Sequence, residues 1–191
     1  TELDKDTDVN NLFKQIQSRL HPMDVIRTIV SYIGESEKKS DLELTTQISA
    51  AVAYVIASYN DNDTSELNDE YTVASSMLSN NASDDQLQAL DDILILYAEH
   101  GFNASTFATR VTGSTRSDLT SAIVSGIGTL KGELHGGANE RAVELINSFK
   151  DVDDARSGVM KMLEEKQKIM GFGHGVYKIQ DPRSPVVKNW V

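Results

Sequence analysis

The spacing of apolar residues constrains this chain more than any other feature. Wherever that spacing is regular it is helical, and no run alternates apolar with polar residues long enough to support a sheet. In "HPMDVIRTIVSYIG", Pro22 suits a first helical turn, and Met23, Ile26, Ile29, Val30 and Ile33 recur on one face before Gly34. The stretch "DLELTTQISAAVAYVIASY" is apolar around much of its circumference and rich in small residues, as expected of a helix deep in a core or at a subunit contact. A short helix is expected near Tyr71 to Leu78. Ser83 and Gln86 form a capping box for a helix through "LQALDDILILYAEH" that stops at Gly101. "FNASTFATRV" restarts a helix with Asn103 or Ser105 at its cap. Further helices are read in "SDLTSAIVSGIGTLKG", after "HGGAN" through "ERAVELINSF", from Asp154 to Gln167, and in the first turns of "SPVVKNWV". Gly126 and Gly128 each cost a helix roughly 1 kcal/mol relative to alanine, which points to close helix packing there. No internal repeat is present, and the expected fold is all-α.

With 191 residues and 39% hydrophobic content, the chain can build one sizeable core, or one core and part of a second. A boundary is expected where "HGG" separates apolar helices from a more charged final third, dividing residues 1–134 from 135–191. No apolar run approaches the ~20 residues that span a bilayer, and "TELDKDTDVNN" has no secretory pattern, so a cytoplasmic protein is expected. Cysteine is absent, which excludes disulfides, thiolate metal sites and a cysteine nucleophile and leaves histidine, carboxylate, hydroxyl and lysine chemistry.

A formal charge of −11 argues against nucleic-acid and anionic-membrane surfaces. Residues 161–188 run against that trend: Lys161, Lys166, Lys168, Lys178, Arg183 and Lys188 face only Glu164, Glu165 and Asp181. This is either an ordinary mixed surface or a site for a phosphorylated or carboxylated ligand. The acidic run "NDNDTSELNDE", residues 60–70, reads as an exposed loop; it lacks the central Gly and terminal Glu of an EF-hand.

Three of the four histidines, His100, His135 and His174, lie beside glycine at helix boundaries. His135, in "LHGGANE", immediately precedes a helix, where the positive dipole end disfavours protonation. A neutral imidazole there can donate to a carbonyl or enol oxygen. His174 lies between Gly173 and Gly175, and Arg183 follows in "DPR" with the fork geometry that suits a carboxylate. Histidine and arginine together can hold a keto acid; a surface turn with an Asp181–Arg183 pair is the bland alternative. The three histidines lack the short ligand spacings of helical zinc sites, so no metal is expected. There is no Gly-x-Ser-x-Gly elbow, phosphate loop or dinucleotide fingerprint.

The blocks "HPMDVIRT", "LYAEHGFNASTFATRV", "LKGELHGGANERA" and "MGFGHGVYKIQDPRSP", in that order, resemble citrate synthase and its relative 2-methylcitrate synthase, from about His21 to Lys188. The resemblance implies an all-α homodimer, with a large helical domain over residues 1–134 and the start of a smaller helical domain over 135–191. It implies condensation of acetyl-CoA with oxaloacetate to citrate, a tricarboxylic acid cycle step, or of propionyl-CoA in the 2-methylcitrate branch. The coenzyme A thioester is a co-substrate, and no permanently bound cofactor is implied. By the same resemblance His135 stabilises the enol of the thioester, and His174 polarises the keto group of oxaloacetate. His100 and Arg183 bind oxaloacetate, Ser105 orients the first histidine, and Asn103 supports that arrangement. Lys166, Lys168 and Lys178 become candidates for coenzyme A phosphates.

Two departures qualify the resemblance. The family's catalytic base is an aspartate beyond the matching blocks, so the 191 residues read as an internal fragment, inactive alone, and neither Asp151 nor Asp181 takes the role of base. Gly175 stands where many relatives carry arginine. A non-catalytic helical dimerisation module derived from the family is the alternative from another class.

Overall fold

A computed structural model describes residues 7–34, 39–60, 73–78, 81–98, 100–175 and 177–190. The molecule is all-α, with no strand among the described residues. The helices are α1 (Thr7–Ile16), α2 (Pro22–Gly34), α3 (Asp41–Tyr59), α4 (Val73–Met77), α5 (Asp84–Ala98), α6 (Ala104–Ser114), α7 (Leu119–Leu130), α8 (Gly137–Asn147), α9 (Val152–Glu164) and α10 (Ser184–Lys188). By its contacts the chain forms two compact units, Thr1–Gly128 with Arg183–Val191, and Thr129–Pro182. The acidic loop expected over residues 60–70 falls, after Asn60, outside the described residues.

The core of the first unit is built from α1, α2 and α3. Val25, Ile26, Ile29, Val30 and Ile33 of α2 are buried against Val9 and Phe13 of α1 and Ile48, Ala51 and Val55 of α3. The valine, isoleucine and phenylalanine side chains among them each contribute about 1.5–3 kcal/mol when taken out of water. The small residues of α3, with Ala51, Ala53 and Ala57 all buried, allow its backbone to approach its neighbours. At the start of α2 the His21 Nδ1 accepts the Met23 N–H at 3.2 Å, so His21 satisfies one of the helix's orphan donors. A Cβ at Gly34 would overlap the side chain of Thr120, which brings the end of α2 onto α7.

The capping predictions hold at two starts. Gln86 N–H donates to Ser83 Oγ at 3.3 Å while Ser83 N–H donates to Gln86 Oε1 at 2.9 Å, opening α5. Asn103 opens α6, its Oδ1 accepting the Thr106 N–H at 3.0 Å. Gly101 follows α5 with φ of 61°, a left-handed conformation that glycine adopts without penalty. Of the two glycines in α7, only Gly126 lies in a tight place: a Cβ there would overlap Thr109 of α6, whereas at Gly128 the nearest neighbour is an Arg27 nitrogen at 3.9 Å.

In the second unit α8 and α9 are joined through Phe149, onto whose ring a Cβ at Gly158 would intrude. Asp151 is the N-cap of α9, its Oδ1 accepting N–H groups of Asp153 and Asp154 at 3.0 and 2.9 Å.

Candidate functional site

His100 and Arg183, 83 residues apart, meet in the first unit. Arg183 Nη1 donates to His100 Nε2 at 2.9 Å. Arginine carries donors only, so Nε2 must be the accepting nitrogen, and a neutral His100 then holds its proton on Nδ1. The guanidinium carbon lies 4.7 Å from the centroid of the Tyr97 ring, and that ring meets His100 edge-on at 6.1 Å. The pairing is possible because α10 docks on α5, where Trp190 Nε1 donates to Asp92 Oδ2 at 2.9 Å.

Asn103 and Ser105 are also together: the Ser105 hydroxyl donates to Asn103 Oδ1 at 2.7 Å. A serine has one hydroxyl hydrogen, so with that bond made Ser105 Oγ meets any further polar partner as an acceptor, the polarity an imidazole N–H requires. Around the same corner Phe102 stacks edge-on with Phe107 at 5.8 Å, and Arg110 lies 5.0 Å over the Phe102 ring.

The second unit holds His135 and His174. His135 is half-buried in the turn before α8, and burial holds its imidazole below the ordinary histidine range, favouring the neutral ring. The direction is the one expected from the sequence, with burial as its cause. The turn depends on glycine, because a Cβ at Gly136 would overlap the Leu130 carbonyl and one at Gly137 would come within 2.9 Å of the Lys131 carbonyl oxygen.

His174 is exposed, and its ring stacks on Tyr177 at 4.5 Å with 26° between planes. Its Nδ1 accepts the backbone N–H of Tyr177 at 3.1 Å, so the neutral ring carries its proton on Nε2. An Nε2–H is a donor of the kind that polarises a carbonyl. Gly171 and Gly173 take φ of 90° and 80°, and Gly171 passes α8 so closely that a Cβ would lie 3.3 Å from that of Ala142. Gly175 has no positive φ, and a Cβ there would meet nothing within 4 Å.

Lys166, Lys168 and Lys178 are exposed in the second unit, whereas Arg183 and Lys188 of the same basic segment belong to the first. Tyr97 and Tyr177 were not among the residues expected from the sequence. Each is three positions from a singled-out histidine, and that spacing was the available signal.

An all-helical chain with a neutral histidine at a glycine turn, a second histidine presenting Nε2–H, and an arginine held by a third has the groups needed to bind carbonyl and carboxylate oxygens. Residues 2–191 match the family model of the citrate synthase C-terminal domain. The chain is 40% identical to 2-methylcitrate synthase of Shewanella oneidensis, over 95% of its own length and 52% of that protein's. It is 36% identical to citrate synthase of Deinococcus radiodurans, over 94% and 52%. Among solved structures it resembles citrate synthase from Thermotoga maritima, with a TM-score of 0.75 at 30% identity over 96% of this chain and 51% of that one. It also resembles the ternary complex of carboxymethyl coenzyme A and oxaloacetate with citrate synthase from Thermoplasma acidophilum, with a TM-score of 0.78 at 29% identity over 96% and 52%. The chain belongs to the citrate synthase family. It spans about half the length of the curated relatives it matches.

Proposed function

We propose that the protein to which these residues belong condenses an acyl-CoA with oxaloacetate and releases free CoA, acetyl-CoA giving citrate. The observation that carries this reading is the Arg183–His100 pair at 2.9 Å, a cation and an imidazole brought together across 83 residues. In this reading Arg183 and His100 bind oxaloacetate, Arg183 through a carboxylate, and His174 donates Nε2–H to the keto oxygen. His135, kept neutral by burial, donates to the thioester oxygen as the enol develops. Removing a proton beside a thioester needs a base on the other side of that carbon, and a donor to the forming enolate lowers the barrier jointly with it. Ser105 serves the histidine donor as an acceptor, with Asn103 holding its hydroxyl hydrogen. Lys166, Lys168 and Lys178 are assigned to coenzyme A phosphates. Asp151 is spent on capping α9, and we assign the base to an aspartate outside these 191 residues.

A second reading, propionyl-CoA condensing to 2-methylcitrate, is favoured by the 40% identity to the Shewanella oneidensis protein of that name. We also propose a homodimer working in the cytoplasm, the dimer supported by apolar side chains left exposed on α5 and α6, with Ile95 72% and Phe107 55% accessible.

Oxaloacetate-dependent release of the CoA thiol by the full-length parent protein tests the reaction, with acetyl-CoA and propionyl-CoA compared by kcat/KM. Turnover that falls about 100-fold or more with His135→Ala is expected. Full turnover by the 191 residues alone would overturn the placing of the base.

A further inference from the structure

We propose that Tyr97 is a positioning residue for Arg183, fixing the guanidinium where it meets a ligand carboxylate; the proposal rests on the oxaloacetate reading above. Three contacts close on one another within the first unit. Arg183 lies 4.7 Å over the Tyr97 ring, the Tyr97 ring meets His100 at 6.1 Å with 65° between planes, and Arg183 Nη1 donates to His100 Nε2 at 2.9 Å. A guanidinium on a long side chain loses much rotamer freedom when it is held for a ligand. Beside the hydrogen bond to His100, the aromatic face of Tyr97 lies against the guanidinium and restricts its rotation. Bidentate pairing with a carboxylate needs that fixed plane.

The geometry does not ask Tyr97 to hold the core. The residue is 49% exposed and lies at the C-terminal end of α5. The docking of α10 on α5 has its own attachment at the other end of α10, where Trp190 donates to Asp92 at 2.9 Å. Trp190 is also the only tryptophan in the chain, so its emission reports whether α10 stays docked.

The test uses the 191-residue chain with Tyr97→Leu and Tyr97→Phe, and reads three quantities. These are hydrogen exchange at the Arg183 Nε–H by NMR, the Kd for oxaloacetate by calorimetry, and Trp190 emission. Tyr97→Leu is expected to speed the exchange and weaken oxaloacetate about tenfold, the size of a partly desolvated cation–π contact, with Trp190 emission unchanged. Tyr97→Phe keeps the ring face and is expected to stay within about twofold of the parent in both. Unchanged exchange and Kd in Tyr97→Leu would overturn the proposal. So would equal losses in Tyr97→Phe, or a Trp190 shift accompanying the loss. If the unsubstituted chain bound no oxaloacetate while the exchange responded as expected, the holding role would be supported and the oxaloacetate reading would fail.

Discussion

Arg183 can only donate, and His174 Nδ1 already receives a backbone N–H, so the hydrogen bonds force opposite tautomers on two histidines. His100 carries its proton on Nδ1 and His174 on Nε2. Imidazole 15N shifts above pH 7 are expected to show that pair; the same tautomer at both rings would contradict it. His135 makes a prediction about stability. Its folded pKa is lowered by burial, so the unfolded chain takes up a proton that the folded chain resists. The stability this contributes is present above the ordinary histidine value of about 6.5 and is lost as pH falls through it toward the lowered folded value. Urea midpoints between about pH 7 and 5 are expected to fall less steeply in His135→Gln than in the parent. Three of the four histidines stand out at this scale because each lies beside glycine at a helix boundary. Their partners are less legible: His100 and Arg183 are 83 residues apart, and only the ordered blocks of a known family brought them together.

At the scale of helices, apolar spacing located most of the elements, and caps located their starts. Helix α1 lies in acidic surroundings and is not read from the sequence, yet Val9, Leu12, Phe13 and Ile16 follow helical spacing, and Val9 and Phe13 enter the core. Helix α8 was expected after "HGGAN" but starts at Gly137, because Gly136 and Gly137 turn the chain directly onto the Leu130 to Gly132 backbone. Substitutions at these glycines are expected to separate packing from conformation. Gly136→Ala is expected to cost about 1–3 kcal/mol in chemical denaturation, since the Leu130 carbonyl must give way. Gly175→Ala, in open space without a positive φ, is expected to stay within about 0.5 kcal/mol of the parent. Ser83→Ala removes one side of the capping box of α5 and is expected to cost about 1 kcal/mol.

For the molecule as a whole, the same glycine turn decides where contacts divide the chain. The large-domain and small-domain proposal puts its boundary at 134 and 135, on the small residues of "HGG". The compact units formed by contacts part at Gly128 and Thr129, where the turn packs back on the last residues of α7. Residues Arg183–Val191 then return to the first unit, carrying Arg183 to His100. No local signal marks that return, because docking of α10 on α5 is a non-local contact. The proposed oxaloacetate site includes His174. Calorimetric titration of oxaloacetate into the 191-residue chain and its His174→Ala variant is the direct test of it. Binding by the chain that weakens about tenfold in the variant is the predicted result, the scale of one hydrogen bond. Absence of binding, or equal binding by both, would contradict the proposal and favour a non-catalytic helical module.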